Sequence, residues 1–418
     1  MIGTTGLQNS KLPSTGWLAK YMTAFSQNRF PTSFHLLAGM FALSTVVGRK
    51  GQVSRSTFTL WPPLSIMLLG TSGVGKTQCL NQAIRVIKAA TSVTPYETDQ
   101  GTFNTRVGFA FSQGGFTLRG LMKEWQRVQD GTESAWIDGC HVENEMANVV
   151  TPKKGNEAVT TWIIQALEHR DLVDYTGMYG RQAVNNCTIG FGFCSTVEYL
   201  RRALSADEFA GGFMHRFFIA HETDLDFQKR EQVPTTPFVS ALAAELRELH
   251  DAVPDRVEIQ KSAQRRLDTI QRQPRYYSNH KLAGFWNRLD GLTLKLSLIL
   301  ALSDGRFTID LDHIEMAYQL VVKHFSKPLE GLIDQLDAPL EKKQLFDLAD
   351  SLRTAGPSGW SLVDFRKKLG RSSLQKQVEC IRALLEMGLA WRTPDRLYGN
   401  PTWVPTDDDD IIDISQFS

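Results

Sequence analysis

Cysteine is scarce in this chain of 418 residues, and what there is has no pattern. The five cysteines (Cys79, Cys140, Cys187, Cys194 and Cys380) form no C-x-x-C pair and no Cys/His cluster at metal-ligand spacing. That argues against a zinc site and for free thiols in a reducing cytoplasm. Charge of one sign is lacking too: 46 Lys and Arg stand against 45 Asp and Glu, a formal net charge of +1. No global field draws such a chain onto nucleic acid, so any binding of that kind must come from local patches. Long apolar runs are missing as well. Leu36 to Val47 is too short to cross a bilayer, and Leu292–Leu302 is interrupted by Lys295. The opening residues, MIGTTGLQNSKLPSTG, are polar and unlike a secretory signal. There is no internal repeat. The expectation is a soluble, cytoplasmic protein of two or three domains with no membrane partner.

The strongest positive signal is Gly70-Thr71-Ser72-Gly73-Val74-Gly75-Lys76-Thr77, which fits G-x-x-x-x-G-K-[ST] at every fixed position. Leu64–Leu69 before it is an apolar run of strand length. Gln78–Ala90 after it places Leu80, Ile84 and Ile87 on one helical face. A strand, a glycine-rich turn and a helix N-terminus make an anion cradle. In that setting Lys76 reaches the β- and γ-phosphates of a nucleoside triphosphate, and the Thr77 hydroxyl holds Mg²⁺. ATP and Mg²⁺ are the expected ligands.

From Leu64 to about Ala220, strand-like and helical runs alternate: Ala135–Val142, Ala158–His169, Cys187–Cys194, Val197–Leu204 and Met214–Ala220. Alternation of this kind predicts an α/β fold with a parallel sheet. Hydrolysis needs an acid at the end of a neighbouring strand. Glu145, in Cys140-His141-Val142-Glu143-Asn144-Glu145-Met146, is the candidate catalytic glutamate. Asn144 stands before it where an aspartate is usual, so Glu143 is a candidate for the metal shell, and Asp138 is an alternative acid. Ser195, closing the strand that begins at Cys187, is placed as a polar sensor of the γ-phosphate. Arg216, between Gly211-Gly212 and an apolar strand, is either an arginine finger or a salt-bridge partner at a strand start.

Residues from about Trp17 to Phe325 resemble a family of phage- and prophage-encoded P-loop ATPases regarded as replication helicases or primase-helicases. The resemblance rests on "FHLLAGMFALSTVVGRK", the glycine-rich loop, "FTLRGLMKEW", "ENEMANVV", "GGFMHRFFIA" and "LTLKLSLILAL". The last three are also similar to the AAA+ pattern of minichromosome-maintenance helicases, in which an acid, an Arg-Phe finger and a basic lid sensor follow in order. The resemblance implies that Arg216 acts on a neighbouring subunit's nucleotide. It also implies that Lys295, or Arg288, is the lid's basic sensor.

Leu340–Pro405 reads as a winged helix-turn-helix, with helices at Glu341–Arg353, Leu362–Leu369 and Leu374–Met387. Trp391–Thr393 and Thr402–Val404 are its wing strands. Leu340–Thr406 holds eleven Lys/Arg and seven Asp/Glu, an excess of four, with Arg366, Lys367, Lys368, Arg371 and Lys376 close together. That patch suits DNA phosphates, although such modules also serve protein contacts. Two further loops suit phosphate contact and base stacking: Lys153-Lys154-Gly155, and Asp174–Arg181 with Arg181 at its end. The tail from Asp407 to Ser418, with five aspartates, three isoleucines and Phe417, suits a docking peptide or a solubilising end.

The sequence thus predicts a P-loop NTPase core of AAA+ or RecA-like class at 61–222. A helical N-terminal element occupies 1–60, a helical lid 223–336, a winged helix-turn-helix 337–406 and an acidic tail 407–418. The expected activity is ATP hydrolysis by a homo-oligomeric ring, a hexamer, moving on single-stranded DNA in a bacterial host's cytoplasm. The tail would recruit a single-stranded-DNA-binding protein, a primase or a polymerase. A nucleotide-switched helicase loader is the rival reading.

Overall fold

Helical spacing of Trp17, Leu18, Tyr21, Met22 and Phe25 makes one buried face of α1 (Gly16–Phe25). α2 (Thr32–Val47) starts at Pro31, whose carbonyl accepts from the Phe34 and His35 N–H groups at 3.1 and 3.3 Å. Every residue from Ser33 to Val47 is buried. A helix apolar all round belongs inside the protein, and α2 lies between the central sheet and its neighbouring helices.

The chain continues through a short hairpin of β1 (Val53–Arg55) and β2 (Phe58–Leu60), then β3 (Ile66–Gly70) and α3 (Lys76–Thr91). β4 (Phe109–Gln113), α4 (Leu118–Thr132), β5 (Ile137–Glu143), α5 (Ala147–Val150) and α6 (Val159–Leu167) follow. β6 (Leu172–Thr176) and β7 (Gly180–Val184) pair as an antiparallel hairpin ahead of β8 (Cys187–Ser195). A single 3₁₀ turn, Met214–Arg216, precedes β9 (Phe218–Glu222). Then come α7 (Thr236–Ala252), β10 (Glu258–Ile259), α8 (Lys261–Arg272), α9 (Ala283–Trp286), α10 (Leu289–Ser303), β11 (Thr308–Ile309) and α11 (Leu311–Leu320).

This computed structural model describes residues 13–25, 28–55, 58–92, 108–114, 118–132, 136–150, 159–169, 172–176, 180–197, 199–200, 212–222, 236–272 and 282–329. Further along it describes 348–349, 351–355, 359–361, 363–364, 380–382, 384–385, 390–392 and 396–399. The chain divides into two compact units, Met1–Ile333 and Asp334–Ser418.

The first unit is a mixed α/β structure around a five-stranded parallel sheet of order β4-β5-β8-β3-β9. β3 and β8 are buried at every position, as strands covered on both faces must be. The side chains of β8 show how the layers fit. A Cβ on Gly190 would lie 3.2 Å from the Phe41 ring, and one on Gly192 would lie 3.1 Å from Phe41 and Leu80. The glycines therefore let α2 and α3 sit close on that face. Phe191 and Phe193 point to the other face, where Phe191 meets Trp125 (ring centroids 6.4 Å apart) and Trp125 meets Trp162 (5.2 Å).

Several elements differ from the sequence reading. The run Met214–Ala220 becomes a strand only from Phe218, because the 3₁₀ turn takes up its first residues. Within Asp174–Arg181, expected as a loop, the described residues 174–176 and 180–181 are strand, and Tyr175 pairs with Arg181. β4 and the β1–β2 hairpin had no strong sequence signal. Among the described residues no helix is long and apolar enough to cross a membrane.

The second unit has a small core of Leu348, Ala349, Leu352, Trp360, Cys380, Leu384, Ala390 and Leu397. Its three short strands, β12 (Trp360–Ser361), β13 (Ala390–Arg392) and β14 (Arg396–Gly399), form an antiparallel sheet of order β12-β14-β13. The returning strand is Arg396–Gly399, nearer to β13 than the expected Thr402–Val404, which lies outside the described residues.

One buried ionic cluster ties the β1–β2 hairpin to the later helices. Arg55 donates to Asp290 at 2.8 Å, to Asp268 at 2.8 Å and to Gln271 at 3.1 Å. Removing one member of a buried pair strands its partner's charge. Arg55→Leu is expected to cost about 3 kcal/mol, because Asp290 stays buried without its guanidinium. Urea unfolding followed by tryptophan fluorescence measures this; a midpoint equal to wild type would mean that water replaces the guanidinium.

Candidate functional site

Parallel pairing gathers the C-terminal ends of four strands at one edge of the sheet. Gly70 pairs with Glu222, Leu69 with Ser195, and Glu143 with Phe193. The loop Gly70–Thr77 emerges there and runs into α3. Gly75 caps that helix with φ 93°, a left-handed conformation open to glycine, and a Cβ on it would collide with the Phe30 ring. Phe30 therefore presses on the turn and keeps the first N–H groups of α3 at the loop. A helix N-terminus presented this way favours an anion.

Lys76 is buried, and its ammonium donates to the Gly70 and Thr71 carbonyls at 2.7 and 2.6 Å. Burial lowers its pKa, while the Cys194 and Glu145 side chains act in the opposite direction. The loop's own carbonyls satisfy this cation.

The acids of the Glu143–Glu145 segment converge on the same place. Glu143 ends β5 and is buried. One of its carboxylate oxygens accepts from the Glu145 N–H at 3.2 Å, and the other, Oε2, is buried with no hydrogen-bond partner among the described residues. The Ser195 hydroxyl donates to the Glu145 carboxylate in a short hydrogen bond. Cys194 reports the convergence independently. Its thiol is pushed up to about 12, first by burial; Lys76 lowers it, Glu145 and Glu143 raise it, and a Thr77 hydrogen bond lowers it. Lys76, Thr77, Glu143, Glu145 and Ser195 therefore surround one small volume. Asp138 does not join them. It lies near the start of β5, beside Gly48, toward the opposite edge.

The donor set fits a hard divalent ion. An orphaned carboxylate oxygen and a threonine hydroxyl are oxygen donors, and Mg²⁺ takes few protein ligands while keeping waters and phosphate oxygens. Among the described residues no group of three or more His, Cys, Asp or Glu forms an all-protein cage.

Arg216 sits at the other edge. Phe218, two residues on, pairs with Ile66 at the start of β3, and its N–H donates to the Ser65 carbonyl at 2.9 Å. The five residues of β3 separate Arg216 from the loop by more than about 13 Å. There Arg216 forms an ion pair with Glu168, reaching Oε1 through Nη2 and through Nε at 3.2 Å. Its Nη1 donates to the Gly212 carbonyl at 2.7 Å. Arg288 lies alongside, donating to the Gly284 carbonyl at 2.8 Å. His215 between them is held down to about 4 by burial, then by Arg288 and Arg216.

Lys295 belongs to this edge as well. It lies within α10 close to His169, and burial holds its pKa down to about 8. Neither Lys295 nor Arg288 is brought to the loop. Arg181 stands in β7, opposite Tyr175. Lys153, Lys154, Arg366, Lys367, Lys368, Arg371, Lys376 and the tail 407–418 lie outside the described residues.

Four side chains escaped the sequence reading. Phe30 and Cys194 are ordinary core residues by pattern. His221 pairs in register with Leu69 and feels Lys76, which together with burial lowers its pKa. Glu168 ends a helix with nothing local to mark it. No protein-family model matches this chain, and no curated protein is significantly similar to it in sequence.

The depressed pKa of Lys295 carries a stability signature. Its folded value, about 8, lies below the ordinary 10.5, so between these two pH values the unfolded chain holds more protons. Stability contributed by this group therefore rises with pH through that window, and the penalty of the buried ammonium is fully present below it. Lys295→Met should stabilise the protein by about 2 kcal/mol at pH 7. Its advantage should shrink as pH rises from about 8 toward 10.5. Thermal melts at several pH values read this directly, and an advantage independent of pH would mean that Lys295 titrates as it does in water.

Proposed function

We propose that this chain is an ATP-hydrolysing motor of the phage replicative helicase type, with an AAA+-like P-loop core, working as a ring on single-stranded DNA. One observation carries the reading: Lys76, Thr77, Glu143, Glu145 and Ser195 meet at the end of the sheet from which the Gly70–Thr77 loop emerges. Lys76 exchanges the Gly70 and Thr71 carbonyls for the β- and γ-phosphates of ATP. Thr77 and the unpartnered oxygen of Glu143 hold Mg²⁺ and its waters; the ion supplies charge neutralisation on the phosphates. Glu145 orients the attacking water, and Ser195 sets its carboxylate until phosphate and water take over that hydrogen bond. Catalysis of phosphoryl transfer is mostly positioning and electrostatics, and these residues provide both.

The location of Arg216 supports a shared site. An arginine at the edge opposite the loop cannot serve its own nucleotide, but in a ring that edge can face the loop of the next subunit. Arg288 beside it is then the stronger candidate for the basic sensor, since a Cβ on Gly212 would reach both guanidiniums. The β6–β7 hairpin, with Tyr175 opposite Arg181, supplies an aromatic and basic element for single-stranded DNA. A helix before β12 and a β13–β14 hairpin after the later helical segment support the winged-helix reading of the second unit.

Lys76→Ala should abolish ATP hydrolysis and weaken triphosphate binding. Glu145→Gln should bind ATP as wild type does and fail to turn it over, accumulating an ATP-bound assembly. The decisive measurement is ATPase rate and assembly mass, each with and without single-stranded DNA, alongside strand displacement. Hydrolysis without strand displacement would assign the chain to helicase loading. Hydrolysis that survives in both variants would remove this site from the chemistry.

A further inference from the structure

In the free subunit Arg216 is already engaged, and its partner stands at the root of the β6–β7 hairpin. We propose that Glu168 is the positioning residue for Arg216, holding the guanidinium until a strand of DNA moves the hairpin and the arginine passes to the neighbouring triphosphate. The proposal rests on the reading of Arg216 as an arginine supplied to another subunit.

The first support is the exchange chemistry. Glu168 Oε1 accepts from two of the guanidinium's nitrogens, charge-assisted bonds of the kind that a phosphate oxygen also accepts from an arginine. A carboxylate is thus a chemically matched stand-in for a phosphate, and one can replace the other without rebuilding the site. The local charge favours the exchange. Arg216 and Arg288 lie close enough that a Cβ on Gly212 would be 3.2 Å from one guanidinium and 3.7 Å from the other. Among the described residues Glu168 is the one carboxylate in an ion pair with either. Among the described residues two neighbouring guanidiniums thus have one paired carboxylate between them, a balance that a polyphosphate neutralises more fully than Glu168 does.

The second support is the backbone. α6 ends at Leu167, Glu168 follows, and His169 adopts φ 55°. The hairpin runs from Leu172 to Val184; Asn186 then adopts φ 48°, and β8 starts at Cys187. Among the described residues these are the two non-glycine positions with left-handed φ. They stand at the two roots of one hairpin. Such conformations persist where the surroundings impose them, and they gather at segments that switch. Glu168 is the immediate neighbour of one of them, so a change in how the hairpin leaves the body reaches its carboxylate first. At the other root the chain enters β8, whose far end is Ser195 and its bond to Glu145.

The test uses the full chain, with ATPase measured with and without an oligothymidylate strand. Wild type should show a low basal rate and clear stimulation by the strand. Glu168→Gln removes the charge at constant size. It should raise the basal rate by about tenfold or more, a fraction of what an arginine finger supplies, and bring the ratio of stimulated to basal rate close to one. Glu168→Asp retains a carboxylate on a shorter arm and should give an intermediate ratio, so it decides the matter if the glutamine variant does not fold. A stimulated-to-basal ratio equal to wild type in both variants, or a proportional fall of both rates, overturns the proposal and makes Glu168 a structural salt-bridge partner. If the wild-type protein itself hydrolyses no ATP, the functional reading falls and this inference with it; a stimulated wild type with an unaltered Glu168→Gln ratio sinks the inference alone.

Discussion

Parallel pairing of β3, β5, β8 and β9 is the constraint on which the rest of the molecule depends. It sends every strand of the central sheet in one direction, so loops that follow strands and loops that precede them are sorted to opposite edges. The following loops bring the glycine-rich turn, the two glutamates and Ser195 together. The preceding segments bring Arg216 and, through the packing of α10 and the end of α6, Arg288, Lys295, Glu168 and His169. One end thereby becomes a cradle with carboxylates, and among the described residues the other gathers Arg216, Arg288 and Lys295. The two ends of the sheet stay apart within one chain, because the buried length of β3 lies between them.

How much of this was legible in the sequence depended on whether a signal was local. The loop was legible because its glycines and Lys76 occupy fixed positions in one short segment. β8 was legible as a buried strand, and its Gly-Phe-Gly-Phe alternation encodes which face meets α2 and which meets Trp125. The acids were legible as a segment, yet the sequence could not choose among Glu143, Glu145 and Asp138. Register sets Asp138 apart, at the far end of β5 from Glu143. The Arg216–Glu168 pair was out of reach, since its members are far apart in the chain and neither sits in a repeating pattern. The β6–β7 hairpin was hidden for another reason: each strand is a short run without apolar alternation, and its pairing partner is the next segment of chain rather than the main sheet. Lys295 shows the limit of periodicity. An apolar helix with one lysine announces an exceptional residue, but only the fold says which side of the sheet it meets.

Polar groups at both ends of the sheet are satisfied by the protein itself: beside the loop Lys76 holds carbonyls and Glu145 holds a hydroxyl, and at the far end Arg216 holds a carboxylate. A group satisfied in this way can exchange partners at small net cost, because one hydrogen bond replaces another. Phe30 matters at the loop although it carries no charge. It fills the space that a side chain at position 75 would need, so the loop's backbone, and not a side chain, shapes the site.

All five cysteines are buried and none is in a disulfide, and this gives the folded molecule an internal clock for its own opening. A thiol shielded from water reacts with an alkylating reagent only when the surrounding structure comes apart. Cys380 lies in the core of the second unit, while Cys79, Cys140, Cys187 and Cys194 lie in the first. Labelling kinetics followed by mass therefore separate the breathing of the two units without any engineered probe. Within the first unit, Cys194 and Cys187 sit at opposite ends of the same strand, so the order in which they are modified tells which edge of the sheet frays first.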